Sequence, residues 1–576
     1  MSLGRPVLRT GVGPVARRRA RAAGAAVVWL FMACMACAPG DARADSDSAV
    51  DSQSAEMMAG KKLYRDGTLA LGARLQATVQ NDVPVEGAEL SCAYCHRYSG
   101  LGTSEGSNVA PALTAASLFQ PRKRVLRQAF RSKAGRGKER PAYSDESLAV
   151  AIRSGVDPSG RVLDLLMPRY DIDDEGMASL IAYLKTLSAE DAPGVTSSTL
   201  HIATIVTEGV SDEDRRAMLD VLEGYVEVKN VETRNEVENA RFAPFYRELP
   251  YQAYRKWKLH VWELSGSSES WGAQLHEHYA RQPVFGVVNG IAAGSWIPIH
   301  EFCVRAEVPC LFPHTDLPVT SRQDFYALYL SRGLDLEARA LARYLQQSDV
   351  SQDARIVQIW ERGGDGETPA RVLREVLESA GGASVEDRVV PAGGDLKDAE
   401  LRSILEGGHS SVLVLWLPKP DLDELARLAG ESKELNHVFL SSSLSGHKVD
   451  VPTGLSRHVY LVHPFDVPRN EPRTLVRLNN WLDSRGIERR DPRIQADAYF
   501  AVVFLARAMK HMKQNFSREY LIEVLEHAVD NATFASVYPR VSLGPGQRFA
   551  SKGSYILGLS SGADPEWEPI GDWIIP

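Results

Sequence analysis

The sequence predicts a multidomain chain: a small all-α domain followed by a two-lobed α/β domain. Two observations predict this. A Cys-x-x-Cys-His cluster, Cys92-Ala93-Tyr94-Cys95-His96, sits among helix-patterned segments between residues 56 and 190. From residue 199 onward, short apolar runs alternate with helical patterns. A third observation, an arginine-rich and then apolar N-terminus, indicates where the chain is sent.

Composition bounds the answer. The chain has 576 residues, 44% hydrophobic and 24% charged, which is ordinary for globular proteins. At roughly 150 residues per domain this suggests two to four domains. Lys plus Arg is 66 and Asp plus Glu is 74, a net charge of −8. That argues against a nucleic-acid binder, because phosphate contacts need concentrated positive charge. No apolar run of about 20 residues occurs beyond the N-terminus, so a polytopic membrane protein is excluded.

Residues 1–44 read as an export signal. Arg5, Arg9, Arg17, Arg18, Arg19 and Arg21 precede an apolar run from Ala22 to Ala38. Ala42-Arg43-Ala44 then offers small residues where a signal peptidase reads, so cleavage is expected after Ala44. A lipid-anchored form acylated at Cys34 or Cys37, or an uncleaved anchor, is the alternative. In each case the remainder is expected in the periplasm. Cys34-Met35-Ala36-Cys37 has no His after it and is set aside. Residues 45–55 are rich in Ser and Asp and are expected to be a flexible leader.

Residues 56–190 carry the strongest signal. C-x-x-C-H is the spacing for covalent haem attachment. Two thiols three positions apart lie on nearly one side of a helical turn, so each can add to a haem vinyl group. The imidazole of His96 is then carried under the iron. Met167, before Pro168, is the expected sixth ligand, since Pro keeps the loop from becoming helical. Met177 is the rival, but its place in an amphipathic helix marks it for the core. Pro111 is expected to accept the imidazole N–H of His96 through its carbonyl, orienting the ring. Tyr94 is also expected beside the haem. Gly60 and Tyr64 on a first helix are expected to cross a last helix that holds Leu180, Tyr183 and Leu184.

With Gly60, Tyr64, Cys92–His96, Pro111, Gly155–Gly160 and Met167–Tyr170 in place, the segment resembles class I cytochrome c. The resemblance implies one low-spin haem c with His96 and Met167 as axial ligands, exchanging single electrons. It implies no open iron position, so the chain is read as a carrier or binding protein rather than an enzyme. Residues 122–140 add nine Lys and Arg against Glu139. They are expected either to steer an acidic redox partner or to form a solvated loop.

Residues 191–198, with Pro193 and Gly194, are expected to be a polar linker. Beyond it, nine apolar runs mark strands: 201–207, 258–264, 284–288, 309–312, 355–360, 387–390, 411–416, 437–441 and 458–463. Buried runs of this kind followed by helices imply parallel sheets. Nine strands are too many for one small sheet, and two lobes fit better. The pieces Val284–Gly290, Val308–Pro313, Asp324–Gly333 and Gln495–Met509 resemble the type 1 periplasmic solute-binding proteins, as in branched-chain amino acid and amide receptors. That resemblance implies a Rossmann-like, two-lobed domain over residues 199–576.

Its ligand is expected in the cleft, at the carboxyl ends of the strands. The expected cleft residues are Asn289, Gly290, Ser295, His314, Thr315, Asp316, Glu361 and Asp365. Backbone N–H groups of 290–295 could hold a carboxylate, and Asp316, Glu361 or Asp365 an ammonium. Ile291, Ala292 and Trp296 intrude on that loop and weigh against an amino-acid ligand. Cys303 and Cys310, seven residues apart, can form a disulfide in an oxidising compartment or stay as buried thiols. The expected function is one-electron transfer by an exported mono-haem protein whose second module binds a small molecule or docks a partner. The alternative is a periplasmic receptor for an ABC-type importer or sensor, with the haem as an accessory.

Overall fold

The computed structural model describes residues 42–576, except 70–71, 81–82, 106–107, 124–138, 243–254, 322–323, 349–354, 380–383, 393–401, 403–410, 432–434, 447–448, 513–514, 529–535 and 563. Residues 1–41 of the expected signal, with Cys34 and Cys37, lie outside the described residues, as does most of the basic stretch 122–140.

Helix α1 (Ala42–Asp66) opens the described chain. It contains residues 45–55, so the flexible leader is corrected to helix. The stretch from Ala42 to Ala59 holds neither Pro nor Gly, and nothing in it breaks a helix. The front domain then runs through β1 (Gln76–Val79), β2 (Val83–Glu86), α2 (Cys92–His96), β3 (Thr103–Glu105), β4 (Asn108–Ala110), α3 (Ala115–Phe119), β5 (Arg122–Lys123), β6 (Glu139–Arg140), α4 (Asp145–Ser154), β7 (Arg169–Asp171) and α5 (Asp174–Thr186).

The expectation of an all-α front domain is corrected. An antiparallel sheet in the order β2-β1-β7 stands beside the helices. Ala77 pairs with Tyr170 across it, and both are buried. Strands of three or four residues carry too little alternation to register in a sequence dominated by helical periods.

The helices are punctuated as the sequence requires. Ser144 and Ser147 form a reciprocal capping box on α4, and Gly155 ends it in the left-handed region at φ 71°. The Asp173 side chain accepts from the Gly176 N–H to start α5. Gly60 lets α1 lie directly on α5. A Cβ at Gly60 would sit 1.9 Å from the Ser179 carbonyl oxygen. The Tyr64 and Tyr183 rings, one turn on, are 5.4 Å apart.

The segment 191–198 is not a loose hinge. Ala192 N–H donates to Phe516 O at 2.9 Å, and Val195 pairs with Leu200. Gly194, at φ 90°, lies so close to Val284 and Phe285 that a Cβ would meet backbone at 2.2 Å. The polar look of the stretch hid how firmly its backbone is held, and the Asp191 carboxylate adds an ion pair to Arg255 at 2.9 Å.

The α/β part follows with β8 (Thr199–Thr207), α6 (Asp212–Phe242), β9 (Lys256–Leu264), α7 (Ser268–Arg281), β10 (Gly286–Val288), α8 (Ile297–Arg305), β11 (Cys310–Leu311), β12 (Ala327–Leu328), α9 (Leu334–Gln347), β13 (Arg355–Glu361), α10 (Glu367–Ser379), β14 (Val385–Val390), β15 (Ser411–Trp416), α11 (Leu422–Glu431), β16 (Leu435–Ser441), α12 (Ser442–Ser445), β17 (Val459–His463), α13 (Glu471–Thr474), α14 (Val476–Arg485), α15 (Pro492–Met512), α16 (Arg518–Ala528), β18 (Tyr555–Leu559) and β19 (Trp567–Pro569). The first sheet is parallel, in the order β12-β11-β10-β8-β9. The second runs β14-β13-β15-β16-β17-β18-β19, and its last two strands are antiparallel additions. Within each sheet the first five strands therefore share one doubly wound order, second-first-third-fourth-fifth. Residues 475–550 rejoin the first lobe, where Phe500, Phe504 and Leu505 of α15 pack with Leu200, Phe285 and Phe312.

The front domain is docked on this first lobe. Lys61 and Arg65 of α1 both reach Glu307, and Tyr98 stacks on Phe325 at 4.2 Å with planes 10° apart.

Gly60→Ala should destabilise the front domain by about 1–3 kcal/mol, the usual range for overpacking against fixed backbone. Gly272→Ala, on a helix face with nothing within 4 Å, should be neutral or slightly stabilising. Thermal unfolding of the two variants checks the pair.

Candidate functional site

The Cys92-Ala93-Tyr94-Cys95-His96 motif is presented by the short helix α2. His96 is buried, and its Nδ1 lies 2.8 Å from the Pro111 carbonyl oxygen. A carbonyl only accepts, so the neutral ring carries its proton on Nδ1 and leaves the Nε2 lone pair available. Burial lowers the pKa of His96 and so favours that neutral ring. The Gly102 N–H donates to His96 O at 3.0 Å, fixing the backbone beneath the ring. Gly102 is required there, since a Cβ would sit 2.2 Å from Ala110 O.

Cys92 is half-buried, Cys95 exposed, and they are not disulfide-bonded. Met167 lies in the irregular segment before β7 and packs, half-buried, against the front domain's core cluster, as Cys92, Tyr98 and Leu113 also do. Met177 is 3% exposed in the α5 core. Tyr94, Val109, Val162, Leu165 and Leu166 are large apolar side chains left exposed in the same domain. The donor set and the ring tautomer together fit a covalently held haem.

Of the basic stretch, Arg122 and Lys123 pair with Arg140 and Glu139 as strands β5 and β6. Arg140 donates to the carbonyls of Ser117 and Pro141 and lies 4.4 Å from the Tyr143 ring centroid. That arginine is structural rather than presented to a partner.

The second place is the cleft at the strand ends of the two lobes. Asp316, after β11, takes a bidentate pair from Arg493 at the start of α15, with Nη1 at 3.1 Å from Oδ2. Arg493 also lies over the Phe465 ring, 4.7 Å from its centroid. His314 Nδ1 is 2.8 Å from Oδ2 of the buried Asp497, one turn further along α15. Burial and then the neighbouring charge of Asp316 raise the pKa of Asp365, on the loop after β13. The two acids thus sense one another across the lobes. Burial also pushes Glu337, on α9, up to about 7, and its Oε1 accepts the Ser443 N–H at 3.0 Å. Ser442 and His463 share a 2.9 Å hydrogen bond.

The expected carboxylate cradle at 290–295 is corrected. The Ile291 N–H is taken by Ile205 O at 2.9 Å and the Ala293 N–H by Thr207 Oγ1 at 2.8 Å. Gly290, at φ 125°, is closed over by Trp296, whose ring would lie 2.9 Å from a Cβ there. Asn289 is buried and its Nδ2 donates to Phe312 O at 2.7 Å. Ser295 is exposed and accepts from the Ile297 N–H, and Thr315 Oγ1 accepts from the Leu317 N–H. These four residues therefore shape the loops. Glu361 ends β13, and Asp316 and Asp365 remain the acids brought together. Arg493, Phe465 and Asp497 were not singled out from sequence. An arginine in the first turn of a helix gives no local signal that its partner is 177 residues away.

Cys303 and Cys310 are joined by a disulfide, with Cα atoms 6.1 Å apart. The loop they close carries Glu307, the acid that receives Lys61 and Arg65.

No family model and no curated protein matches the chain. Among solved structures it is similar to an ABC transporter substrate-binding protein from Sphaerobacter thermophilus, at 13% identity and TM-score 0.48, covering 66% of this chain and 98% of that one. A fatty acid ABC transporter substrate-binding protein from Thermomonospora curvata gives 13% identity and TM-score 0.45, covering 67% and 95%. A leucine binding protein from Thermotoga maritima gives 14% and 0.43, covering 66% and 99%. Among the described residues, no helix is long and apolar enough to cross a membrane.

Asp316→Asn should leave Arg493 without its counter-charge and cost about 1–3 kcal/mol, the price of an unsatisfied part-buried group. The combined Asp316→Asn and Arg493→Met variant should recover part of that loss. Urea unfolding of both variants measures it.

Proposed function

We propose that the protein is a periplasmic solute-binding receptor, serving an importer or a sensor, with one haem c held on its front domain. The observation that supports the receptor reading is the repeated strand order of the two sheets, whose end loops bring Asp316 and Asp365 to one cleft. In doubly wound folds, ligands sit outside the carboxyl ends of the strands. A small solute entering there would meet His314, Asp316 and Arg493 from the first lobe and Asp365 from the second. Its binding would draw the lobes together by screening the two acids from one another.

For the front domain, Cys92 and Cys95 would hold the haem, with His96 through Nε2 and Met167 through sulfur as the iron ligands. Bound there, the group supplies one-electron exchange. The chain's own part is orientation. Pro111 keeps the Nδ1 proton in place, Gly102 pins the His96 carbonyl, and the Tyr170 hydroxyl donates to Leu90 O at 3.0 Å just ahead of the motif. A second reading, with electron transfer as the main role and the cleft module as a docking or sensing part, is favoured by the Nδ1–Pro111 contact, which orients the ring independently of the cleft.

The full chain, exported from a host able to attach haem, should carry pigment that survives acid–acetone extraction. Cys92→Ser with Cys95→Ser should abolish it, and Met167→Ala should alter the visible spectrum. A colourless wild-type protein would remove the haem from the proposal. Calorimetry with L-leucine and with a fatty acid, followed by a wider solute panel, tests the receptor: Kd in the micromolar range is expected for a member of the panel. Asp365→Asn should weaken it several-fold.

A further inference from the structure

Helix α16 carries three acids, Glu519, Glu523 and Glu526, at spacings of four and three residues, which place them along one face. The outer two are paired. Glu519 takes Arg65 of α1 at 2.8 Å and the Tyr326 hydroxyl at 2.7 Å. Glu526 takes the buried Arg548 at 2.6 Å. Among the described residues, Glu523 has no ion-pair partner. Its oxygens instead accept the Ser99 N–H at 2.8 Å and the Ser99 hydroxyl at 2.5 Å. Glu523 is 8% exposed and Ser99 is fully buried. Ser99 lies three residues past His96, and its own carbonyl accepts the Ser188 hydroxyl at 2.7 Å. The loop after the haem motif is therefore held between its own domain and an acid of the first lobe.

The charged and titratable groups facing Glu523 come from each element around it. Glu519, Tyr520 and Glu526 share its helix and Tyr64 comes from α1, while around the outer acids lie Arg65 on Glu519, Arg548 on Glu526, and Tyr98 of the motif loop near Glu526. Both arginines are engaged by the outer acids. An ionised Glu523 thus places a third carboxylate beside the buried Glu526 and the half-buried Glu519, in a row that holds two cations. A protonated one keeps a hydrogen bond to Ser99 and removes the repulsion.

We propose that Glu523 is a proton-operated latch: protonated, it holds the loop after His96 on the first lobe, and ionised, it loosens that loop. Burial first, and Glu519 and Glu526 with it, push the carboxyl up to about 7, against the opposing pull of the Ser99 donors. With the domains apart the same carboxyl meets water and returns to the ordinary carboxylate range near 4.5. The docked form binds the proton more tightly, so docking is strongest below that ordinary range and weakens as pH rises through about 7. The latch involves only the chain's own segments and does not depend on what His96 binds.

Hydrogen–deuterium exchange of the 97–102 segment in the full chain, corrected for intrinsic rates, tests it. Wild type should open several-fold more often at about pH 8.5 than at about pH 5.5, on either side of the transition. Glu523→Gln should stay protected at both. Ser99→Ala, which removes a donor that favours the carboxylate, should move the transition midpoint to higher pH, and this readout stands even if Glu523→Gln fails to fold. Equal protection of wild type at both pH values, an unchanged pH curve in Glu523→Gln, or an unmoved midpoint in Ser99→Ala overturns the proposal.

Discussion

The guanidinium of Arg518 joins the linker, the first sheet and the front domain's socket at one point. It is 6% exposed, with Nε 3.2 Å from Phe285 O and Nη1 3.3 and 3.1 Å from the carbonyls of Ala306 and Glu307. Its Nη2 reaches Val284 O at 2.6 Å, the Tyr279 hydroxyl at 2.9 Å and Pro193 O at 3.3 Å. Carbonyls at the end of α8 carry the negative end of the helix dipole, so they are suited to a buried cation. Because Arg518 also begins α16, it sets where Glu519, Glu523 and Glu526 face. Because it holds the carbonyl of Glu307, it sets where that residue's carboxylate meets Lys61 and Arg65. Glu307 sits at φ 49°, a conformation that ordinary side chains seldom keep without such restraint.

The cleft is organised by a second buried device, helix α15. Its residues from Ile494 to Leu505 are buried almost without interruption. Arg493 and Asp497 therefore reach the strand ends from a rigid support rather than from a loop, and supports of this kind hold polar groups in fixed geometry. The chain visits the second lobe and returns to provide this helix, so the first lobe's strand-end surface is complete only when residues from both ends of the domain have packed.

Much of this architecture was legible. The nine apolar runs became β8 to β11 and β13 to β17, because buried parallel strands leave continuous Val, Ile and Leu. Strand β12 has only two residues, and β18 and β19 arrive late as antiparallel additions, so none carried a recognisable pattern. The Cys92–His96 cluster stands out in sequence because its spacing is fixed and local, and α2 presents it as one short helix. The Pro111 contact was readable because it lies within the same loop. The cleft was only half readable. Asp316 and Asp365 fall on strand-end loops, where sequence points. Arg493, Glu337 and Phe465 reach them by tertiary return. The docking of the front domain left no trace in sequence, since Arg65, Ser99 and Glu523 each look like ordinary surface residues until the fold brings them together.

The bridge between Cys303 and Cys310 has a consequence for how the chain is made. The bridge closes the loop that carries Glu307, while the thioethers proposed at Cys92 and Cys95 would need two reduced sulfurs. With the proposed haem in place, biogenesis would have to keep four thiols of one polypeptide in two opposite states. The order of emergence helps, because Cys92 and Cys95 precede the other pair by more than 200 positions. An N-terminal module that receives its porphyrin before the rest is exported would already have withdrawn its sulfurs from disulfide shuffling when the later pair closes.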